Sequence, residues 1–175
     1  MQLKITSNSA VFTKNLGKNF SKIISNGDII LFSGELGGGK TTFISGLAGG
    51  LGIRENVSSP SFTILNVYNT HRKNKLVHAD FYRLENIEDI AEIGIEDYLY
   101  DNRAIVCMEW GDKIRKYIDR DCIEVEISYL LADGENDNLN NLDRRLVTFK
   151  SFSQHWDNKL TKFMARFKYD EYFRD

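Results

Sequence analysis

Eight residues constrain this chain more than any others: Gly34-Glu35-Leu36-Gly37-Gly38-Gly39-Lys40-Thr41, directly after the wholly apolar run Ile29-Ile30-Leu31-Phe32 and Ser33. The spacing is G-x-x-x-x-G-K-[ST], and a strand before it with a helix after it is the context in which that spacing wraps phosphate. A short apolar run bounded by Asn26-Gly27-Asp28 fits a strand at the centre of a sheet covered on both faces. Residues 41–51 read as a helix stopped by Gly52, since glycine takes the left-handed conformation that ends helices. Glycines let the loop backbone turn its N–H groups inward at phosphate oxygens, and the helix N-terminus adds positive potential there. Lys40 then supplies a mobile ammonium for the β- and γ-phosphates, and the Thr41 hydroxyl a ligand for Mg²⁺. Thr42 is placed to donate to the α-phosphate, and Glu35, Leu36, Gly37, Gly38 and Gly39 form the wall of the cradle. The motif speaks for a nucleoside triphosphate and is silent about its use.

The remaining pattern alternates strands with helices. Leu3 and Ile5 mark a short strand, and Phe12, Leu16, Phe20 and Ile23/Ile24 recur at helical spacing with Ser7 or Ser9 available as N-cap. Residues 62–67 and 76–79 read as strands joined by a polar hairpin at 69–74. Ile87, Ile90 and Ala91 form a helical face stopped by Gly94, and residues 104–108 make a second buried strand that ends in Glu109-Trp110. Ile123, Val125 and Ile127 alternate with Glu124 and Glu126 as a half-exposed strand does. Residues 133–143 are a polar loop, 145–149 a last strand, and Phe152, Trp156, Leu160, Phe163 and Phe167 an amphipathic helix. The expected fold is α/β, a P-loop NTPase-like mixed sheet flanked by helices, in one domain spanning residues 1–175.

Composition removes several function classes. A formal net charge of −2 argues against a broad nucleic-acid footprint, which needs a basic excess. Cys107 and Cys122 sit in apolar runs without metal-ligand spacing and read as buried free thiols, which suits a reducing cytoplasm. No signal peptide is visible at the N-terminus, and no run of apolar residues is long enough to span a membrane. The expected location is cytoplasmic.

A phosphate loop of this kind also needs a carboxylate at the end of a neighbouring buried strand to help hold Mg²⁺. Two positions compete. Glu109 ends the longer apolar run, whereas Asp80 ends Leu76-Val77-His78-Ala79. Glu109 is favoured for metal and water, because a glutamate there can also orient or deprotonate an attacking water. Asp80 takes a nearby metal-side or switch-like role.

Taken in order, these pieces resemble the TsaE (formerly YjeE) family, bacterial ATPases of tRNA threonylcarbamoyladenosine synthesis. The matching residues are the phosphate loop with Thr42-Phe43, Val57-Ser58-Ser59-Pro60-Ser61-Phe62-Thr63, and His78-Ala79-Asp80-Phe81-Tyr82-Arg83-Leu84. Gly94-Ile95-Glu96-Asp97-Tyr98 and Glu109-Trp110 complete the set, which covers residues 12–130. The resemblance implies ATP and Mg²⁺ as cofactors, and an ATPase that is weak without partners. Those partners are TsaB- and TsaD-like proteins, with tRNA engaged only through the complex. It implies that Lys40, Glu109 and Asp80 serve hydrolysis, that Thr41, Asp80 and Glu109 occupy the metal positions, and that Thr13 lies near the nucleotide. Residues 58–63 resemble the family's switch-like loop. Glu35 and Gly38 stand where Asp and Ala are commoner, Ser61 where Thr is usual, and Gly111 where proline is common. Beyond residue 133 the resemblance stops.

Other residues keep two readings each. Trp110 either covers the nucleotide or a partner, or is a core-edge aromatic. His78 is a partner of Asp80 or a packed strand histidine. Arg83 is an internal arginine finger or an ordinary salt-bridged arginine. The C-terminal stripe, with Lys159, Lys162, Arg166 and Lys168 on its polar side, docks on the core or contacts a partner or tRNA. Competing functions are a small-molecule or nucleoside kinase, which lacks an arginine-rich lid here, and a GTPase, which lacks Asn-Lys-x-Asp. A nucleotide-gated interaction protein overlaps with the family's role.

Overall fold

The computed structural model describes residues 1–70, 74–84, 90, 93–130 and 144–172, with the side chains of the final helix described through residue 167. The helical positions Ile87 and Ala91, residues 71–73 of the expected polar hairpin, the polar loop 133–143 and the side chain of Lys168 lie outside what is described. In chain order the elements are β1 (Gln2–Ser7), α1 (Ala10–Phe20), β2 (Ile29–Ser33), α2 (Lys40–Gly50), β3 (Leu65–Asn69) and β4 (Lys75–Asp80). They continue with α3 (Glu96–Leu99), β5 (Ala104–Glu109), β6 (Ile123–Tyr129), β7 (Arg145–Ser151) and α4 (Gln154–Tyr172).

One seven-stranded sheet runs β1-β7-β6-β2-β5-β4-β3. The four inner neighbours β6, β2, β5 and β4 are mutually parallel, and β1, β7 and β3 join antiparallel at the two sides. The expected mixed α/β sheet is therefore the observed one. β2 and β5 are buried along their apolar length, as strands covered on both faces must be.

Two apolar layers flank the sheet. One joins Leu16 and Phe20 of α1, Phe43, Ile44 and Leu47 of α2, and Trp156, Leu160 and Phe163 of α4. The other packs Ile29, Leu31, Val77, Val106 and Met108 under Ile95, Leu99, Ile114 and Ile118. From Trp156 to Phe167 the C-terminal stripe thus docks on its own core, whereas Phe152 precedes α4 and is exposed. Burying each such large side chain is worth about 1.5–3 kcal/mol. Lys159 adds a hydrogen-bonded ion pair with the buried Asp28 carboxylate, which also accepts the Ser25 N–H at 2.7 Å.

One open boundary is decided and two depart from the pattern, each for a local reason. Ser9, not Ser7, caps α1 by accepting the Phe12 N–H at 3.1 Å. That helix stops at Phe20, where Ser21 Oγ folds back onto the Lys18 carbonyl at 2.7 Å. β3 begins at Leu65 because Ile64 sits at φ 64° with its N–H on the Pro60 carbonyl at 2.6 Å, closing a turn over the preceding residues.

α1 and α2 touch backbone to backbone. A Cβ on Gly46 would lie 1.9 Å from the Lys14 carbonyl oxygen, so only glycine permits this approach. The contact brings the first turn of α1, with Thr13, beside the start of α2.

Candidate functional site

Strand parity decides which side chains meet. Leu76 on β4 and Ile105 and Cys107 on β5 face the layer containing α1 and α2. Side chains alternate along strands, so His78 and Asp80 share that face on β4, and Glu109 shares it on β5. Parallel register sets Asp80 opposite Glu109, and Phe32 of β2 opposite Glu109 on the other side. The carboxyl ends of three parallel strands therefore converge where the glycine loop leaves β2, the usual crevice for ligands in such sheets.

The loop is wedged against β6. Gly34 has φ 113°, and a Cβ there would lie 2.0 Å from the Ile127 carbonyl oxygen. Glu35 turns its carboxylate to accept the Tyr129 N–H at 3.2 Å, and the Tyr129 hydroxyl donates to the Leu36 carbonyl at 3.3 Å. The Leu36 side chain is exposed. Those two side chains thus hold or border the loop, leaving Gly37, Gly38 and Gly39 to offer bare backbone to its interior.

Lys40 is buried and donates to the carbonyls of Gly34 at 2.9 Å and Glu35 at 2.8 Å. The Trp110 ring lies over its ammonium, 4.1 Å from nitrogen to ring centroid. Trp110 itself is in the left-handed region, at φ 58°, with Tyr82 packed against it at 5.3 Å. Burial pulls the Lys40 pKa below its ordinary value, and the charges of Glu109, Asp80, Asp112 and Glu35 oppose that pull.

Thr41 Oγ1 donates to Glu109 Oε1 at 2.7 Å, and His78 Nε2 meets the same oxygen at 2.8 Å. Asp80 is held differently. Its Oδ2 accepts from the hydroxyls of Ser59 and Ser61, the latter at 2.9 Å, while Oδ1 accepts the Tyr82 N–H at 2.9 Å. Thr42, Thr13, Ala10, Gly37–Gly39 and Arg145 line a small hollow of about 80 Å³ beside the loop. There the Thr13 hydroxyl pairs with Ser7 Oγ at 2.7 Å.

The structure gathers the residues selected from sequence around the loop, in two groups. Lys40, Thr41, Glu109 and Asp80 stand at the strand ends, and Thr13 and Thr42 at the hollow. His78 proves to be a partner of Glu109 rather than of Asp80. Arg83 stacks on the exposed Phe62 ring at 4.6 Å, and forms no ion pair among the described residues. Arg145 and Tyr129 join the site without being marked by the phosphate-loop motif. Tyr129 continues the Ile123-Val125-Ile127 alternation by one step, a signal that could have placed it beside the loop. Arg145, stacked on Tyr129 at 4.1 Å, carried no comparable mark.

The donor set fits a hard cation that keeps substrate oxygens. Among the described residues no three His, Cys, Asp or Glu side chains form a metal-binding group. Magnesium does not need one, since it is commonly bound through one or two carboxylates, water and phosphates. Thr41, Glu109 and Asp80 offer only oxygen, beside a loop whose Gly38 N–H is turned onto the Glu35 carbonyl at 3.1 Å.

A family model described as Threonylcarbamoyl adenosine biosynthesis protein TsaE matches residues 7–136. A tRNA threonylcarbamoyladenosine biosynthesis protein TsaE from Treponema pallidum (strain Nichols) is 35% identical over 77% of this chain and 97% of its own length. The protein of the same description from Bacillus subtilis (strain 168) is 33% identical over 89% of this chain and 90% of its own. The crystal structure of YdiB from Bacillus subtilis superposes with a TM-score of 0.74 at 26% identity, covering 95% of this chain and 96% of that one. Among the described residues no helix is long and apolar enough to cross a membrane.

Proposed function

The chain belongs to the TsaE family of tRNA threonylcarbamoyladenosine biosynthesis proteins, and from that premise we propose that it is the Mg²⁺-dependent ATPase of the pathway, working in the cytoplasm. The observation that carries this reading is the 2.7 Å hydrogen bond from Thr41 to Glu109. It ties the first turn of the phosphate-loop helix to the strand-end carboxylate, the pairing that P-loop enzymes use around their metal.

In this reading the glycine-loop N–H groups and the α2 N-terminus cradle the phosphates. Lys40 leaves the carbonyls of Gly34 and Glu35 to reach the terminal phosphates, exchanging neutral acceptors for charged ones. Thr41, Glu109 and Asp80 would hold magnesium, which would supply neutralisation of the charge that develops on the phosphates. Glu109 accepts the proton of the attacking water, while Thr41 and Asp80 hold the metal side. Thr13 and Thr42 border the nucleotide from the hollow.

Asp80 also links the site to residues 58–63, because Ser59 and Ser61 both donate to it. Nucleotide that draws on Asp80 competes with those serines and rearranges the loop. We infer that the rearranged loop is the surface met by TsaB- and TsaD-like partners, with tRNA reached only through them. The test is phosphate release from ATP with and without EDTA, alone and with those two proteins added. Release that needs magnesium and rises with the partners is expected. ADP formed only when a small-molecule acceptor is supplied, with the phosphoryl group found on that acceptor and no free phosphate released, would replace the ATPase by a kinase.

A further inference from the structure

His78 has no role in the reading above, yet its polar side chain is fully buried beside the site. It stands on β4, between Val77 and Ala79 of one apolar layer and facing the other. Its Nε2 lies 2.8 Å from Glu109 Oε1, while Nδ1 is buried with no hydrogen-bond partner among the described residues. Glu109 Oε1 also accepts the Thr41 hydroxyl at 2.7 Å, and no other described residue donates to the Glu109 carboxylate.

These contacts define the direction of the bond. A carboxylate oxygen that takes a hydroxyl proton acts as acceptor, so the imidazole must be the donor. A ring with its proton on Nδ1 instead would bury an unpartnered N–H, which is costly, and would set two acceptors against each other. The ring is itself locked by strand packing. Its donor therefore approaches the carboxylate from a fixed direction, and with Thr41 it saturates one oxygen.

We propose that His78 is a positioning residue for Glu109: its Nε2–H pins Oε1, with Thr41, so that Oε2 is the oxygen left for water or metal. Histidine–carboxylate pairs of this kind orient the groups that touch a metal or its water. Glutamate has three side-chain torsions, and a carboxylate free to rotate would spend little time in one productive geometry. A buried histidine in a strand is an expensive way to fill apolar space, and the pairing supplies the reason for it here. The role of Glu109 rests on the proposed ATPase function; the direction of the hydrogen bond does not.

The experiment has two arms on the full chain. Long-range ¹H–¹⁵N spectra report which ring nitrogen carries the proton. The chain has three histidines, and loss of one ring in His78→Gln identifies the signals to follow. The expected result is a proton on Nε2, an unprotonated Nδ1, and a shift of the Nε2–H pair in Glu109→Gln while the other two rings stay put. A proton on Nδ1 with bare Nε2, or no response to Glu109→Gln, overturns the proposal.

The second arm compares His78→Leu with His78→Gln, whose amide N–H can replace the Nε2 donor. His78→Leu should lose roughly ten- to hundredfold in turnover or in the magnesium-dependent part of nucleotide affinity. Its affinity for nucleotide in EDTA should stay within about twofold, since phosphate-loop contacts are intact. His78→Gln should recover most of the loss. Equal losses in two folded variants would make His78 a packing residue only. If the wild-type chain releases no phosphate under any condition, the ATPase reading fails while the ring-nitrogen result still decides the role of His78.

Discussion

Thr41 Oγ1 donates to Glu109 Oε1 at 2.7 Å, joining the first turn of α2 to the last residue of β5 across a sequence separation of 68. Glu109→Gln keeps the shape and can still accept from Thr41. Its amide is a poor base and a poor metal ligand, so turnover is expected to fall about 10²–10⁴-fold. Nucleotide affinity measured in EDTA should hardly change. Normal turnover in Glu109→Gln with an inactive Asp80→Asn would exchange the roles of the two carboxylates.

Lys40→Ala removes the ammonium from the loop. Each charge-assisted bond to phosphate is worth about 1.5–3 kcal/mol, so ATP should bind roughly ten- to hundredfold more weakly. Hydrolysis should disappear while the fold persists. Calorimetric titration together with a thermal melt separates lost binding from lost structure, and unchanged affinity in a folded variant would remove the phosphate-loop assignment.

Ser59 and Ser61 hold Asp80, so the gated-partner reading predicts a reciprocal coupling. If a non-hydrolysed ATP analogue tightens binding to TsaB- and TsaD-like proteins by some factor, those proteins must tighten analogue binding by the same factor. A coupling of about 1–3 kcal/mol, roughly five- to 150-fold, is expected. Equal partner affinity with analogue, with ADP and without nucleotide would leave no gate.

Two glycines of α2 should respond oppositely to alanine. A Cβ on Gly46 would strike the Lys14 carbonyl at 1.9 Å, whereas one on Gly49 has nothing within 4 Å. Gly46→Ala should destabilise by about 1–3 kcal/mol or more through forced separation of α1 and α2. Gly49→Ala should stabilise by roughly 0.5–1 kcal/mol through helix propensity and lost unfolded-state freedom. Denaturant midpoints at constant m decide both.

Burial pushes the Cys122 thiol up to about 11, and raises Cys107 as well. An acid whose folded pKa is raised is deprotonated first in the unfolded chain. Stability is therefore unaffected below the ordinary thiol value of 9.0 and falls as pH rises from there toward about 11. Denaturant unfolding at pH 8 and pH 10 should show that loss, and Cys122→Ala should reduce it. A pH-independent difference between variant and wild type across that window would contradict the buried-thiol geometry.

What the sequence determined by itself was whatever depends on neighbours along the chain. The G-x-x-x-x-G-K-T spacing after an apolar run announces a strand, a phosphate-binding turn and a helix start, because each is a local backbone preference. The alternation at Ile123, Val125 and Ile127 and the spacing of Trp156, Leu160 and Phe163 are equally local, and both elements stand where the pattern puts them. Even the candidates Glu109 and Asp80 are legible, since each ends an apolar run.

Only the tertiary structure decided which of these groups meet. Parallel register between β4 and β5 sets Asp80 beside Glu109, yet side-chain direction gives His78 and Thr41 to Glu109, and Ser59 and Ser61 to Asp80. The same distinction hides Arg145, which reaches the hollow near Thr13 only because β7 enters the sheet antiparallel beside β6. The turn at Ile64 likewise overrides a β-branched residue's preference for the strand. Long-range pairing and register are collective properties of the packed sheet, and no window of sequence contains them.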